Sequence, residues 1–268
     1  MMLMRLDKPI GIILLACPAF FAISKQANPF QVKTLIIMTG IILCRSLGCV
    51  LNDIADRDID LHVKRTALRP LPKKQVSLYQ AWILAIFLTF GCLSLLYWIP
   101  VSAFKTIIFS GLTILIYPYT KRYFSLPQVF LGISFASSIP VVYSIFESAF
   151  SITMYWLFFA TVCWVISYDT FYALNDLEDD QLLPIYSLPK TLGEKNSKLL
   201  AQILLMVAEI IMIGVIDYST SNILLVFVSI ALVYYIIYDA QNNKINNLDL
   251  FHLNGLLGLL WCMIHFNE

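Results

Sequence analysis

The chain has 268 residues, of which 59% are hydrophobic and only 13% are charged, and its formal net charge is +1. Soluble domains usually carry about 45–50% apolar and about 25% charged residues. This composition argues against an ordinary soluble enzyme and against a disordered chain, and the small net charge provides no overall basic field for a nucleic acid. Long runs of Leu, Ile and Phe instead predict an all-α integral membrane protein.

Apolar segments recur along the whole chain. A helix needs about 20 apolar residues, within a range of about 17–25, to cross the hydrocarbon core of a bilayer. Nine candidate spans follow from this criterion, the first being the shortest: 9–24, 32–51, 79–98, 102–118, 126–146, 152–172, 199–216, 221–239 and 248–266. We therefore predict one integral-membrane domain, residues 1–268, built as a bundle of nine transmembrane helices.

The basic residues are distributed unevenly among the predicted loops. With a cytoplasmic N-terminus, the cytoplasmic segments hold fourteen of the 18 Lys and Arg residues, and the opposite side holds only Lys25, Lys33 and Lys105. Basic loops are retained on the cytoplasmic side of membrane proteins. We therefore expect this orientation, which also places both long connections, about 52–78 and about 173–198, in the cytoplasm.

Nine of the 17 acidic residues lie in two short segments, 52–60 and 169–180, at the predicted cytoplasmic ends of spans. Carboxylates so close to hydrocarbon are costly and usually functional. If the second helix continues, Asn52, Asp56 and Asp60 share one helical face, with Asp53 one turn before Asp56. The same spacing argument places a second set on one face: Asp169, Tyr172, Asp176 and Asp180. The remaining acids of the two segments point off these faces and are expected to be solvated: Asp58, Glu178 and Asp179.

Two acidic faces that meet would repel each other unless cations lay between them. Hard oxygen ligands suit Mg²⁺, which keeps several waters and often bridges one or two carboxylates to phosphate groups. Basic residues with the chemistry to hold phosphate oxygens lie nearby: Arg65, Arg69, Lys121 and Arg122. The pattern predicts a Mg²⁺–diphosphate site at the cytoplasmic end of the bundle.

Three further polar residues fall within apolar spans. Arg45 lies seven residues before Asn52, and an unpaired Arg there would cost at least a few kcal/mol, so we expect a carboxylate partner from Asp53, Asp56 or a substrate. His252 and His265 have no partner at metal-ligand spacing. We expect a core position for His252 and a membrane-interface position for His265.

The sequence NDIADRDID at 52–60 resembles the N-D-x-x-D-x-x-x-D motif of the UbiA superfamily of membrane prenyltransferases. The stretch YDTFYALNDLEDD at 168–180 resembles its second acidic motif. Further stretches are similar to the hydroxybenzoate branch of the superfamily: RLDKPIG at 5–11, HVKRT at 62–66, RPLP at 69–72, YP at 117–118, KRY at 121–123 and LPQ at 126–128. The resemblance extends from about residue 5 to residue 266.

This resemblance implies a nine-helix bundle with a polar cytoplasmic-side cavity and a lateral opening for an isoprenoid tail. It implies Mg²⁺-dependent transfer of a polyprenyl group from a polyprenyl diphosphate to the ring of 4-hydroxybenzoate, in ubiquinone biosynthesis. Together with the lack of a recognisable transit segment, it leads us to expect a multi-pass protein of the bacterial inner membrane.

The resemblance also implies roles for individual residues. The implied metal ligands are Asp53, Asp56, Asp60, Asp176 and Asp180. The implied substrate-binding residues are Asn52, Arg5, Arg45, Arg65, Lys121, Arg122 and Tyr172, and either Arg5 or Arg45 would meet the aromatic carboxylate. Asp169 would assist proton loss from the ring, Asp56 would act with the metal, and aromatic faces would stabilise an allylic cation at Tyr117, Tyr119, Tyr168 and Tyr172.

The chain departs from close relatives after the second acidic motif. Two positions that typically carry lysine are Leu182 and Tyr186 here, and Lys190 is the candidate replacement. The alternatives are a UbiA-type prenyltransferase with a different aromatic acceptor and a divergent inactive paralogue. A cation-coupled transporter, from another class, would need acids near the bilayer middle or inverted repeats.

Overall fold

The computed structural model describes residues 2–7, 9–26, 28, 30–63, 66–216, 222–242 and 246–266. Within these ranges the chain is helical and contains no strand. In chain order the helices are α1 (Ile10–Ser24), α2 (Val32–Asp60), α3 (Leu78–Leu95), α4 (Phe104–Thr120), α5 (Pro127–Ala136), α6 (Ser138–Ile145), α7 (Ile152–Leu174), α8 (Leu177–Gln181), α9 (Leu188–Leu192), α10 (Glu194–Gly214), α11 (Ile223–Asn242) and α12 (Asn247–Phe266).

The predicted all-α membrane architecture is confirmed. Among the described residues, eight segments are long and apolar enough to cross a membrane: α2, Leu78–Trp98, Val101–Thr120, Pro127–Ile145, α7, α10, α11 and α12. The first predicted span corresponds to α1, which has 15 residues and is therefore about 22 Å long. That length is less than the ~30 Å hydrocarbon core, so the count of nine spans stays a prediction.

The continuation of the second helix through the acidic segment is also confirmed. Helix α2 has 29 residues and ends at Asp60, which corresponds to about 44 Å of helix. Because the apolar core of a bilayer is only ~30 Å thick, the last turns of α2 extend past the apolar span while remaining helical. Asp53, Asp56 and Asp60 therefore keep the common helical face that their spacing requires.

The predicted span 126–146 is interrupted once. Helices α5 and α6 follow each other with a break at Ser137. Pro140 has no N–H to donate to the carbonyl of Ala136, which explains why the helix is not continuous there. The hydroxyls of Ser110 and Ser137 form a 2.7 Å hydrogen bond that ties α4 to the break.

Six helices form a ring in which α1 contacts α2, α2 contacts α4, α4 contacts α5, α5 contacts α7, and α12 joins α7 to α1. Helix α3 packs outside this ring against α2, whereas α10 and α11 pack against α7 and α12. The rings of Trp164 and Trp261 lie 5.4 Å apart in the core between α7 and α12. This ring of helices encloses the cavity that carries the candidate site.

A buried carboxylate connects three helices. Glu209 in α10 is 5% exposed. It accepts a hydrogen bond of 2.6 Å from the Ser229 hydroxyl in α11 and one of 2.7 Å from the Trp261 indole N–H in α12. Polar contacts between helices help to hold membrane bundles together, where apolar burial alone gives little preference for one partner.

We expect Glu209→Leu to lower the free energy of unfolding by about 1–2 kcal/mol, because the buried Trp261 N–H loses its acceptor. Ser229 keeps a 2.9 Å bond to the Val226 carbonyl and is less affected. The measurement is the midpoint of thermal unfolding in detergent. Glu209→Gln, which keeps an acceptor oxygen, is the matched control and should lose less stability; equal midpoints for Glu209→Leu and the wild type would contradict the assignment.

Candidate functional site

A cavity of about 990 Å³ lies inside the helix ring. Its wall is formed by residues of α1, α2, α4, α5, α7 and α12, by the N-terminal segment and by the segments that follow α2, α4 and α7. Acidic side chains from α2 and from 169–180 line one end, together with the basic side chains of Arg5, Arg69 and Lys121. Apolar side chains line much of the remainder, including Ile13, Leu14, Ile114, Leu131 and Phe135.

Three aspartates on one face of α2 line the cavity and are almost completely buried: Asp53 at 1% exposed, Asp56 at 2% and Asp60 at 4%. Arg5 donates to Asp53 Oδ1 at 2.6 Å. Arg69 donates to the same oxygen at 3.2 Å and to Asp60 Oδ2 at 2.6 Å. Buried carboxylates require such compensation, and it comes here from residues distant in sequence.

Asp56 accepts hydrogen bonds on only one of its oxygens among the described residues. Its Oδ2 accepts hydrogen bonds from Lys121 Nζ at 2.6 Å and from Asn52 Nδ2 at 3.1 Å. Its Oδ1 is buried and accepts no hydrogen bond from any described residue. Arg122 lies 3.9 Å from Oδ1, and its guanidinium donates to the Ala55 carbonyl. Asp56, a residue of the cavity wall, therefore keeps one oxygen without a hydrogen bond from the described residues.

The second acidic segment is not one continuous helix, which corrects the helical spacing expected for it. Helix α7 ends at Leu174, and α8 begins at Leu177. The Asn175 side-chain amide donates to the carbonyls of Phe171 and Tyr172, which satisfies the last turn of α7. All four predicted residues nevertheless line the cavity: Asp169, Tyr172, Asp176 and Asp180.

Asp180 lies outside the membrane-spanning helices, in α8. Burial, together with the nearby charge of Asp176, raises the pKa of Asp180 to about 6. A raised carboxyl pKa means that the ionised form is incompletely compensated, and a bound cation would favour that form.

The loop that follows α8 does not replace the missing lysines. Leu182 is 86% exposed, whereas Tyr186 lines the cavity and its backbone N–H donates to the Lys121 carbonyl at 2.7 Å. Lys190 Nζ donates to the carbonyls of Asp180 and Leu183, at 2.9 and 2.6 Å. Lys190 thus fixes the loop through backbone contacts and does not line the described cavity.

Arg45 lines the cavity and forms no ion pair with Asp53 or Asp56. Among the described residues it makes no hydrogen bond or ion pair, so pairing with Asp53 or Asp56 was a wrong expectation. The physical reason is that Arg5, Arg69 and Lys121 already neutralise those two aspartates.

The Arg45 guanidinium instead lies against the backbone of Gly11 in α1. A Cβ at Gly11 would lie 2.8 Å from Arg45 Nε and 2.9 Å from Arg45 Cζ. Any side chain at position 11 would therefore displace the guanidinium. The two helices meet closely here because position 11 has no side chain.

The aromatic candidates divide into two groups. Tyr117, Tyr168 and Tyr172 line the cavity. Tyr119 is 46% exposed and its ring contacts Arg122, whose Cζ lies 5.6 Å from the ring centre. Tyr119 is not part of the described cavity wall, so a role for its ring in stabilising a cation has no geometric support.

Several other positions differ from the sequence expectations or were missed. His252 is exposed and lines the cavity, so the expected core position was wrong. His265 lies in the last turn of α12, is 2% exposed and packs against Phe21, and its position at the membrane interface stays a prediction. Gln128 and Ser134 also line the cavity. Gln128 lies in the LPQ stretch, which could have identified it from the sequence, whereas no sequence motif marks Ser134.

Arg65 and its expected role lie outside the described residues.

The donor set at the polar end fits a hard cation. Among the described residues, no three His, Cys, Asp or Glu side chains are close enough together to enclose a metal ion by themselves. Mg²⁺ does not need such a cage, because it keeps several waters and uses one or two carboxylates plus substrate oxygens. The buried, hydrogen-bond-free Oδ1 of Asp56 is the clearest ligand atom.

The fold and this cavity define a multi-pass membrane bundle with an acidic polar end compensated by basic residues. The chain belongs to the UbiA prenyltransferase family, whose family model matches residues 12–254.

Named relatives agree with this family. The 4-hydroxybenzoate octaprenyltransferase of Legionella pneumophila (strain Lens) is 40% identical over 187 residues, which are 69% of this chain and 66% of the relative. That of Shewanella frigidimarina (strain NCIMB 400) is 37% identical over 187 residues, 69% of this chain and 65% of the relative. The matches therefore span slightly less than two thirds of the length of these relatives.

Solved structures show the same fold. The apo structure of a UbiA homolog from Aeropyrum pernix K1 has a TM-score of 0.82 at 21% identity and covers 96% of both chains. A UbiA homolog from Archaeoglobus fulgidus bound to DMAPP and Mg²⁺ has a TM-score of 0.75 at 15% identity, over 100% of this chain and 98% of that chain.

We expect Arg69→Gln to destabilise the metal-free protein by about 3 kcal/mol, because it leaves Asp53 and Asp60 with less compensation while they stay buried. The matched control is Arg57→Gln, because Arg57 pairs at 3.2 Å with Asp58, whose side chain is 80% exposed. Arg57→Gln should lower the free energy of unfolding by less than about 0.5 kcal/mol. Thermal unfolding in EDTA measures both variants, and equal effects would contradict the proposed compensation.

Proposed function

We propose that this protein transfers a polyprenyl group from a polyprenyl diphosphate to the ring of 4-hydroxybenzoate, with Mg²⁺, in ubiquinone biosynthesis. The observation that carries the proposal is the meeting of two acidic segments at one end of a cavity whose other walls are largely apolar. An isoprenoid diphosphate has the same division between a charged head and an apolar tail. The names of the curated relatives support 4-hydroxybenzoate as the acceptor.

The proposed metal ligands are the cavity-lining carboxylates, all of which face the polar end: Asp53, Asp56, Asp60, Asp176 and Asp180. Bound Mg²⁺ would stabilise the negative charge that develops on the leaving diphosphate. The solved relatives with Mg²⁺ and short prenyl diphosphates support this assignment.

The basic residues have a second task in this proposal. Lys121 and Arg122, which lie close to Asp56, would bind diphosphate oxygens once cations occupy the carboxylates. Asn52 would hold Asp56 in place through its 3.1 Å hydrogen bond. Arg65 keeps its proposed role in diphosphate binding on the strength of the resemblance alone.

Arg45 is the better candidate for the acceptor carboxylate than Arg5. Arg5 donates to Asp53 at 2.6 Å, whereas Arg45 lines the cavity and pairs with no described residue. A carboxylate ligand would supply the counter-charge that Arg45 otherwise lacks. Arg5 then acts as the compensating base of Asp53.

The remaining steps use the cavity walls. Apolar side chains exclude water from the allylic cation, which water would otherwise capture. The faces of Tyr117 and Tyr172 would stabilise that cation. Asp169, which lines the cavity one turn before Tyr172, is our proposed acceptor for the proton that the ring loses after attack.

We propose a single domain over residues 1–268 in the bacterial inner membrane, with a cytoplasmic N-terminus and the acidic end of the cavity on the same side. The excess of basic residues in the corresponding loops supports this orientation. The substitutions at Leu182 and Tyr186 remove two cations from the polar end and favour weaker binding of the diphosphate than in relatives that carry them.

The test of the function is a transfer assay on purified protein with geranyl diphosphate, 4-hydroxybenzoate and either Mg²⁺ or EDTA. We expect prenylated 4-hydroxybenzoate only with Mg²⁺, detected by mass spectrometry. Asp56→Asn should lower the rate at least about 100-fold, while Asp58→Asn should have little effect because Asp58 is exposed and outside the cavity wall. Product in EDTA, or no product from folded wild type that binds the diphosphate, would contradict the proposal.

We expect Gly11→Ala to raise the KM for 4-hydroxybenzoate at least about tenfold, because the added methyl displaces the Arg45 guanidinium. The KM for geranyl diphosphate should change little. Gly111→Ala is the matched control, since a Cβ at that helical glycine meets no atom within 4 Å. Equal acceptor KM values for Gly11→Ala and Gly111→Ala would contradict the role of Arg45.

A further inference from the structure

The helix that carries Asp180 is too short to be stable by itself. Helix α8 has five residues, whereas isolated helices shorter than about 12–15 residues are only marginally stable in water. Its last carbonyl groups also have no partners inside the helix. The position of the Asp180 carboxylate therefore depends on contacts that α8 and its following loop make with other parts of the chain.

Lys190 in α9 provides such a contact. Its ammonium group donates to the Asp180 carbonyl at 2.9 Å and to the Leu183 carbonyl at 2.6 Å. A cation is favourable at this point, because the carbonyls at the end of a helix carry partial negative charge. Lys190 is the only charged residue between Asp180 and Glu194 in the sequence, so no other charged side chain of this loop can take its place.

The same loop is attached to the turn between α4 and α5. The backbone N–H of Tyr186 donates to the Lys121 carbonyl at 2.7 Å, and that of Leu188 donates to Gln128 Oε1 at 3.1 Å. The Lys121 ammonium group in turn bonds to Asp56 of the first acidic segment at 2.6 Å. These hydrogen bonds link the first acidic segment to the loop after α8.

The geometry limits how Lys190 can act. Asp56 and Asp180 line the cavity, but Lys190 does not, and its ammonium group bonds to main-chain carbonyls rather than to either carboxylate. Asp180 is 8% exposed, and the positive charge of Lys190 acts on its carboxyl group. Lys190 is therefore placed to influence a cation in the cavity through Asp180 and not by direct contact.

We propose that Lys190 is a positioning residue that holds Asp180 in place as a ligand for Mg²⁺. This inference rests on the proposed function, which makes Asp180 a metal ligand. Groups that orient metal ligands commonly change metal affinity by about 10–100-fold when they are removed. The loop after α8 then contributes a fixed carboxylate, rather than additional cations, to the diphosphate site.

Positioning and charge predict opposite results when Lys190 is replaced. A positive charge close to Asp180 repels a bound cation, so its loss by charge alone would tighten metal binding. Loss of the two hydrogen bonds to the loop would instead weaken metal binding, because Asp180 must then be ordered when the cation binds. The direction of the change separates the two effects.

The test measures binding of Mn²⁺, as a paramagnetic substitute for Mg²⁺, to the purified full chain in the presence of geranyl thiodiphosphate. Electron paramagnetic resonance gives the concentration of free Mn²⁺ and hence the dissociation constant. We expect Lys190→Met to raise that constant about tenfold. Lys190→Gln, whose amide keeps a donor without the charge, should raise it only about threefold.

Lys195→Met is the matched control. Lys195 is exposed and does not line the cavity, so its replacement should change the dissociation constant of Mn²⁺ less than about twofold. Action through Asp180 is tested by adding Lys190→Met to Asp180→Asn. The second substitution should then produce little further weakening, because the ligand that Lys190 positions is already lost.

Tighter or unchanged Mn²⁺ binding in Lys190→Met would overturn the positioning role, and so would full additivity with Asp180→Asn. If the wild type transfers the prenyl group with Mg²⁺ but Lys190→Met binds Mn²⁺ as the wild type does, only the positioning role is wrong. If the wild type binds no Mn²⁺ with the thiodiphosphate and forms no product, the proposed function fails as well. If Lys190→Met does not fold, Lys190→Gln against Lys195→Gln decides by the direction of the change.

Discussion

Three aspartates buried on one face of α2 impose the constraint on which the polar end of the bundle depends. Asp53, Asp56 and Asp60 are each at most 4% exposed, and buried charges of one sign require compensation. The compensating groups come from the N-terminal segment, from the loop after α2 and from the turn after α4: Arg5, Arg69, Lys121 and Arg122. These ion pairs therefore position three separate parts of the chain around the cavity.

These ion pairs also suit the proposed chemistry, because bound cations could replace the basic side chains as partners of the carboxylates. In the proposed function, cations bound to the carboxylates would leave the basic side chains available for the diphosphate. One oxygen of Asp56 already accepts no hydrogen bond from a described residue. Arg45 lies deeper and is held against Gly11 rather than against an acid. In the proposed function, the polar end would hold the diphosphate, Arg45 would meet the acceptor carboxylate, and apolar walls would surround the reacting carbon.

Local sequence patterns predicted the elements that are governed by helical periodicity. The acidic face of α2 was predictable because its spacing continues without interruption to Asp60. The same reasoning failed at 169–180, since Asn175 ends α7 through its side chain and the periodicity does not reveal that break. Three features were not predictable, because each depends on which helices become neighbours: the position of Arg45 against Gly11, the cavity position of His252 and the contacts of Glu209.

The central claim is that cations held by the two acidic segments, and not the basic residues alone, retain the diphosphate. Calorimetric titration of the wild type with geranyl thiodiphosphate, in Mg²⁺ and again in EDTA, tests this claim most directly. The account predicts saturable one-site binding in Mg²⁺ and loss of measurable binding in EDTA, where the carboxylates keep their basic partners. Equal affinity under both conditions would contradict it and assign diphosphate recognition to the basic residues.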